Sequence, residues 1–151
     1  LRASVRQPIV ANQLQLSIPH APIIAQGVAA NMSGLAQAVT EDGGGIVDYC
    51  RVNNITIQAW SPLQSGTDAG VFLGSDAYPE LNAVIDRLAA QYDVPPIAIA
   101  TAWITRHPAG MQVVLGTTTP QRVADAAQGS DIPLTRPEWY ELFRASGHRV
   151  P

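Results

Sequence analysis

Three short stretches carry residue types suited to gripping a planar ring and an anion. They are Asn12-Gln13, then Trp60-Ser61-Pro62-Leu63, then Gly116-Thr117-Thr118-Thr119 followed by Arg122. Trp60 offers a flat π-face on which a ring can stack; the plain alternative is an aromatic that only packs. Gln13 can bond an amide group, or be satisfied by neighbouring backbone. The Gly116–Thr119 stretch runs into a helix start. Free amides there favour an anion, threonine hydroxyls add donors, and the Arg122 guanidinium is a fork suited to phosphate. Its plain alternative is that Thr119 caps the helix and Arg122 is solvated. Ser61, Leu63 and the glycine-spaced loop after them let backbone amides approach a pyrophosphate.

Other candidates read as structural. His20, His107 and His148 are far apart and form no metal-ligand spacing. Glu41-Asp42 reads as a solvated loop, and Trp103 and Trp139 as packing residues on helices. No GxSxG, HExxH, P-loop or GxGxxG sequence occurs.

The elements that position these groups follow from periodicity. Residues 8–17 and 55–60 read as strands, and 111–116 as a third. Residues 18–44 are loop-rich. Residues 46–54 form a helix with Ile46, Val47, Cys50 and Tyr49 toward one face, ended by Asn53-Asn54. Leu81, Val84, Ile85 and Leu88 recur at helical spacing within 79–92. A helix over 95–107 has small packing positions at Ala98, Thr101, Ala102 and Thr105, and another spans 117–128. In the last, 134–146, Thr135 and Glu138 form a capping box, with Pro137 second in the helix. Strands alternating with helices indicate parallel βαβ units, with no domain boundary in 1–151.

Composition bounds the rest. The chain has 151 residues, 46% of them hydrophobic, so it holds enough apolar material for a core. Nine arginines, no lysine and a net charge of −3 argue against a general nucleic-acid binder. No apolar run approaches the ~18–20 residues that span a bilayer, so no membrane partner is expected. Cys50 is the single cysteine, which excludes an internal disulfide and a CxxC pair and fits a cytoplasmic, reducing compartment. A chain opening LRASVRQP without Met is expected to lack its N-terminus, processing being the other route to such an end.

Taken in order, NQLQLS, DYCRVNNITIQAWSPL and VVLGTTTPQRVADA resemble the C-terminal half of an aldo/keto reductase. The closing RASGHRVP is similar to a subgroup of bacterial oxidoreductases, and the resemblance runs over essentially the whole chain. It implies an α/β fold: a partial TIM (β/α)₈ barrel, strands six to eight with their helices and a C-terminal helix. It also implies NADPH as cofactor and a small carbonyl compound, an aldehyde or ketone, as substrate. By resemblance Gln13 contacts the nicotinamide carboxamide, Trp60 stacks beneath the nicotinamide, and Ser61 and Leu63 lie along the pyrophosphate. Gly116, Thr117 and Arg122 grip the 2′-phosphate. The family's Asn or Glu near the adenine falls on Ala126.

The family's catalytic Asp, Tyr, Lys and His come from the other half of the barrel. This chain has no lysine, and Tyr49, Tyr78, Tyr92 and Tyr140 lack the family's surrounding pattern, so no catalytic residue is assigned. Three parallel strands alone would leave open edges and an open inner face, so the isolated chain is expected to be marginally stable, to self-associate through its open sheet edges, or to be ordered only with its missing half. Three readings stay open: the cofactor-binding half of a reductase, inactive alone; a non-catalytic nucleotide-binding half-barrel; and a structural remnant. The pocket walls expected here are the loop at 18–45 and the C-terminal segment.

Overall fold

The computed structural model describes residues 4–29, 32, 45–66 and 70–151. Glu41-Asp42 and half of the expected wall at 18–45 lie outside the described residues. Three strands, β1 (Ala11–Gln15), β2 (Thr56–Trp60) and β3 (Gln112–Val113), form one parallel sheet in the order β1-β2-β3. Helices α1 (Pro22–Val28) and α2 (Ile46–Val52) lie between the first two strands in sequence. Helices α3 (Pro79–Tyr92) and α4 (Pro96–Thr105) lie between the second and third. After β3 come α5 (Pro120–Ala127), a 3₁₀ turn (Gln128–Asp131) and α6 (Arg136–Ala145).

Side chains alternate across a strand, and the sheet uses that alternation unevenly. Ile57 and Ala59 of β2 are buried and share one apolar cluster with Leu81, Ile85 and Leu88 of α3 and with Ile99 and Trp103 of α4. Burying each of the leucines and isoleucines among them contributes roughly 1.5–3 kcal/mol. The other face carries Gln13, Gln58, Trp60 and Gln112, and of these only Gln58 is even half-buried. Among the described residues nothing covers this face as helices cover the first. Parallel sheets are ordinarily covered on both faces.

Helix α4 is buried without interruption from Ala98 to Ile104. A helix apolar on all sides needs neighbours on all sides, and α3, α5, β3 and the 3₁₀ turn supply them. The 3₁₀ turn approaches through Gly129. A Cβ there would overlap the Ala98 carbonyl oxygen and lie 2.7 Å from Thr101 Cβ and 2.8 Å from Ala102 N. Trp103 of α4 stacks on Trp139 of α6 with centroids 4.8 Å apart and planes 9° from parallel. Each indole N–H donates to the other's backbone carbonyl, at 3.2 and 2.8 Å. Both tryptophans are packing residues, as their helical contexts indicate.

The start of α6 is the capping box read from sequence. Glu138 N–H donates to Thr135 Oγ1 at 3.4 Å, and Thr135 N–H donates to Glu138 Oε2 at 2.8 Å. The same carboxylate accepts from Tyr92 Oη at 2.8 Å and Gln91 Nε2 at 2.9 Å, which ties the end of α3 to the start of α6.

Two elements differ from the sequence reading. Helix α1 forms within the stretch read as loop; with seven residues and no side-chain cap it is held by burying Ile24 and Ala25. Propensity cannot signal so short a helix, because tertiary docking supplies its stability. Strand β3 is only two residues long, although Val114 N–H still donates to Ala59 O at 2.8 Å. On α2, Tyr49 is half exposed and only Cys50 is fully buried.

Candidate functional site

The three handovers from strand to loop come together at one end of the sheet. A cleft of about 380 Å³ is lined by Trp60, Ser61 and Leu63 after β2, by Gly116 and Thr117 after β3, and by Arg122 of α5. Six of the seven residues singled out from sequence therefore share one cleft. Gln13, the seventh, lies outside that lining but on the same sheet face, paired in register with Gln58, two residues before Trp60.

Local geometry explains how each reaches its place. Trp60 ends β2 on the open face and is 37% exposed. Ser61 then adopts φ +50°, in the left-handed region that a residue other than glycine seldom enters. Such a conformation persists only where the surroundings impose it. Here the chain is held on both sides. Leu16 N–H donates to Trp60 O at 3.3 Å, and Gln64 N–H closes a turn onto Ser61 O at 3.1 Å. Ser17 Oγ then donates to Gln64 O at 2.6 Å, anchoring the loop to the segment after β1.

On the opposite wall Thr119 occupies the N-cap position of α5 but makes no side-chain cap. Instead, its own N–H donates to Thr117 Oγ1 at 3.2 Å. The first turn therefore keeps donors that a capping side chain would otherwise satisfy, at the positive end of the helix dipole and beside Arg122. Uncapped amides at a helix start favour an anion over a cation. Ala126, four residues beyond Arg122, is fully buried and so presents nothing to the cleft.

Sequence reasoning missed several lining residues, among them Gln64, Val71, Ile97, Val114 and Leu115. Val114 and Leu115 adjoin Gly116 and were within reach of a local reading. Ile97 was not, since it arrives from the first turn of α4. Val71 arrives through an antiparallel bridge with Gln64 that folds the loop back on itself.

None of the four tyrosines lines the cleft. Tyr92 is committed to Glu138, and burial followed by that bond and the carboxylate charge pushes its hydroxyl pKa up. The histidines serve structure. His148 stacks on Phe143 with centroids 4.3 Å apart and bonds Ile18 O through Nε2 at 3.1 Å. His107 Nδ1 accepts from Ala109 N–H at 3.2 Å. Among the described residues no group of three or more His, Cys, Asp or Glu could hold a metal ion. Nor is any described helix long and apolar enough to cross a membrane.

With this geometry in view, comparison with known proteins is informative. The model of the Aldo/keto reductase family matches residues 8–145. A 6-dehydroglucose reductase of Agrobacterium fabrum is 28% identical over 143 residues, covering 95% of this chain and 40% of the relative. The thermostable aldo-keto reductase Tm1743, solved with the inhibitor epalrestat, superposes with a TM-score of 0.64 at 17% identity. That match covers 95% of this chain and 42% of Tm1743. A Gox0644 mutant in complex with NADPH superposes with a TM-score of 0.57 at 16% identity, covering 94% and 41% respectively. At these identities the two structures attest the fold alone. The chain thus spans about 40% of the length of the relatives it matches.

Proposed function

The chain belongs to the aldo/keto reductase family, and on that premise we propose that it is the cofactor-binding half of an NADPH-dependent reductase of aldehydes or ketones. Its three strands correspond to strands six to eight of a (β/α)₈ barrel. The observation that carries this reading is the single cleft joining Trp60, Ser61, Leu63, Gly116, Thr117 and Arg122. The nicotinamide stacks on Trp60 and its carboxamide meets Gln13. The pyrophosphate follows the backbone at Ser61 and Leu63, and the 2′-phosphate takes Arg122 with the open first turn of α5 and Thr117. The fit is electrostatic as well as geometric, since uncapped amides and a guanidinium converge where a phosphate would lie.

When bound, NADPH supplies the hydride; the residues here bind and orient it. Protonation of the carbonyl oxygen needs an acid that these 151 residues do not supply, with no lysine in the chain and no tyrosine in the cleft. The chain by itself therefore binds cofactor without turning over a carbonyl. Because the Agrobacterium relative bears the name 6-dehydroglucose reductase, a carbohydrate carbonyl is the first substrate to offer a completed enzyme.

The test is a titration of the 151-residue chain with NADPH, followed by tryptophan fluorescence. Trp103 and Trp139 are buried in their mutual stack, so quenching reports on Trp60. Saturable quenching lost in Trp60→Ala and weakened in Arg122→Ala supports the proposal. A folded chain that shows no quenching, and forms a concentration-dependent oligomer indifferent to NADPH, favours a structural half-barrel acting through its uncovered sheet face.

A further inference from the structure

Across the open face of the sheet runs a row of three side-chain amides. Register places Gln13 beside Gln58 and Gln58 beside Gln112. Gln13 Nε2 donates to Gln58 Oε1 at 3.0 Å, and Gln58 Nε2 donates to Gln112 Oε1 at 3.1 Å. Gln58, in the middle, thus receives on its oxygen from Gln13 and gives its nitrogen to Gln112. The chain has a direction, and Gln13 Oε1 is the acceptor left at its open end.

We propose that Gln58 and Gln112 are positioning residues that orient the Gln13 carboxamide so that its oxygen faces the bound nicotinamide. This rests on the cofactor reading above and extends it to two residues beyond the cleft. A glutamine side chain loses rotamer freedom when it is fixed, so an unanchored one is not held in a single orientation. A lone Gln13 would present oxygen and nitrogen alternately. Anchored through Nε2, it presents an acceptor, which suits the amide N–H of a nicotinamide carboxamide and not a bare carbonyl. Neither Gln58 nor Gln112 is a good strand former. Among the described residues no other side-chain partner is seen for them, so the row is the use those two positions have there. Linked amides also polarise one another, which strengthens the terminal acceptor.

The test compares NADPH with the analogue in which an acetyl group replaces the carboxamide, thereby losing the N–H donor. One hydrogen bond of ordinary strength, about 1 kcal/mol, corresponds to roughly fivefold in affinity. The wild-type chain is expected to prefer NADPH by about that factor, and Gln58→Met and Gln112→Met to bring the ratio close to one while still binding both. A second readout needs no cofactor: the side-chain amide NMR signal of Gln13 is expected to shift in Gln112→Met, two strands away. A chain that binds NADPH but keeps its preference in both variants, or whose Gln13 signal stays put, overturns the positioning role and leaves the cofactor site standing. A wild-type chain that binds neither compound overturns the cofactor reading and the positioning role together.

Discussion

In the proposed function, Arg122 is the residue on which cofactor choice would turn. It is exposed, sits in the first turn of α5, whose N-cap side chain makes no cap, and lines the cleft with Ser61 and Leu63. Hydrogen bonds to a charged group contribute about 1.5–3 kcal/mol, and the phosphate that would receive them distinguishes NADPH from NADH. Arg122→Ala is therefore expected to weaken NADPH binding by about tenfold or more and leave NADH binding nearly unchanged. Isothermal titration with both dinucleotides checks this. Equal losses for the two would move Arg122 from the 2′-phosphate to a part of the dinucleotide common to both. Ala126, being buried, offers no second contact that could compensate.

At the scale of elements, the junction of α3 and α6 is tied by the Glu138 carboxylate and by the Arg87–Glu141 ion pair at 2.6 Å. Burial alone would raise the pKa of Glu138. Bonds from the Thr135 N–H and hydroxyl, from Tyr92 and from Gln91 outweigh it and hold the group at about 2, against an ordinary value of 4.5. A folded pKa below the unfolded one means that the unfolded chain takes up the proton first. The stabilisation is thus complete above 4.5 and is lost as pH falls from 4.5 toward about 2. Glu138→Gln is expected to flatten that acid limb of the stability curve, as read by urea unfolding across the same window. Thr135→Ala should cost about 1 kcal/mol at neutral pH, the usual worth of an N-cap. A variant whose acid limb matches wild type would show that the carboxylate bonds do not persist in solution.

For the whole molecule, the histidines set the behaviour near neutrality. Burial lowers the pKa of His20, of His107 with help from the Arg51 charge, and of His148. For His148 the bond to Ile18 O opposes the shift and the neighbouring His20 adds to it. All three are favoured neutral in the fold, so stability is full above 6.5 and falls as pH drops below it. The melting temperature is expected to decline on acidification from 6.5, and His148→Gln to decline less steeply. A flat profile through that region would mean that the three rings are solvated.

Much of this was legible in the sequence because the signals are local. The capping box at Thr135 and Glu138 is a matter of residues three apart, and the apolar spacing of Leu81, Ile85 and Leu88 marks a buried helix face before any packing is seen. The same holds for the chemistry of the site. Trp60, Ser61, Leu63, Gly116 and Thr117 stand at or just beyond a strand's end, where a parallel fold presents its loops, Arg122 lies in the first turn of the helix that follows, and the ordered motifs carried the family resemblance. What the sequence could not settle is whatever depends on two distant segments meeting. Helix α1 exists because Ile24 and Ala25 find a core to enter. Ile97 reaches the cleft because α4 is packed from every side, and Ser61 holds a left-handed turn because neighbours pin the chain before and after it. The glutamine row is the clearest case: residues 13, 58 and 112 share no local pattern, and only the register of three parallel strands sets their amides 3.0 and 3.1 Å apart. Pattern along a chain reports what each segment prefers, while register and burial decide which preferences meet.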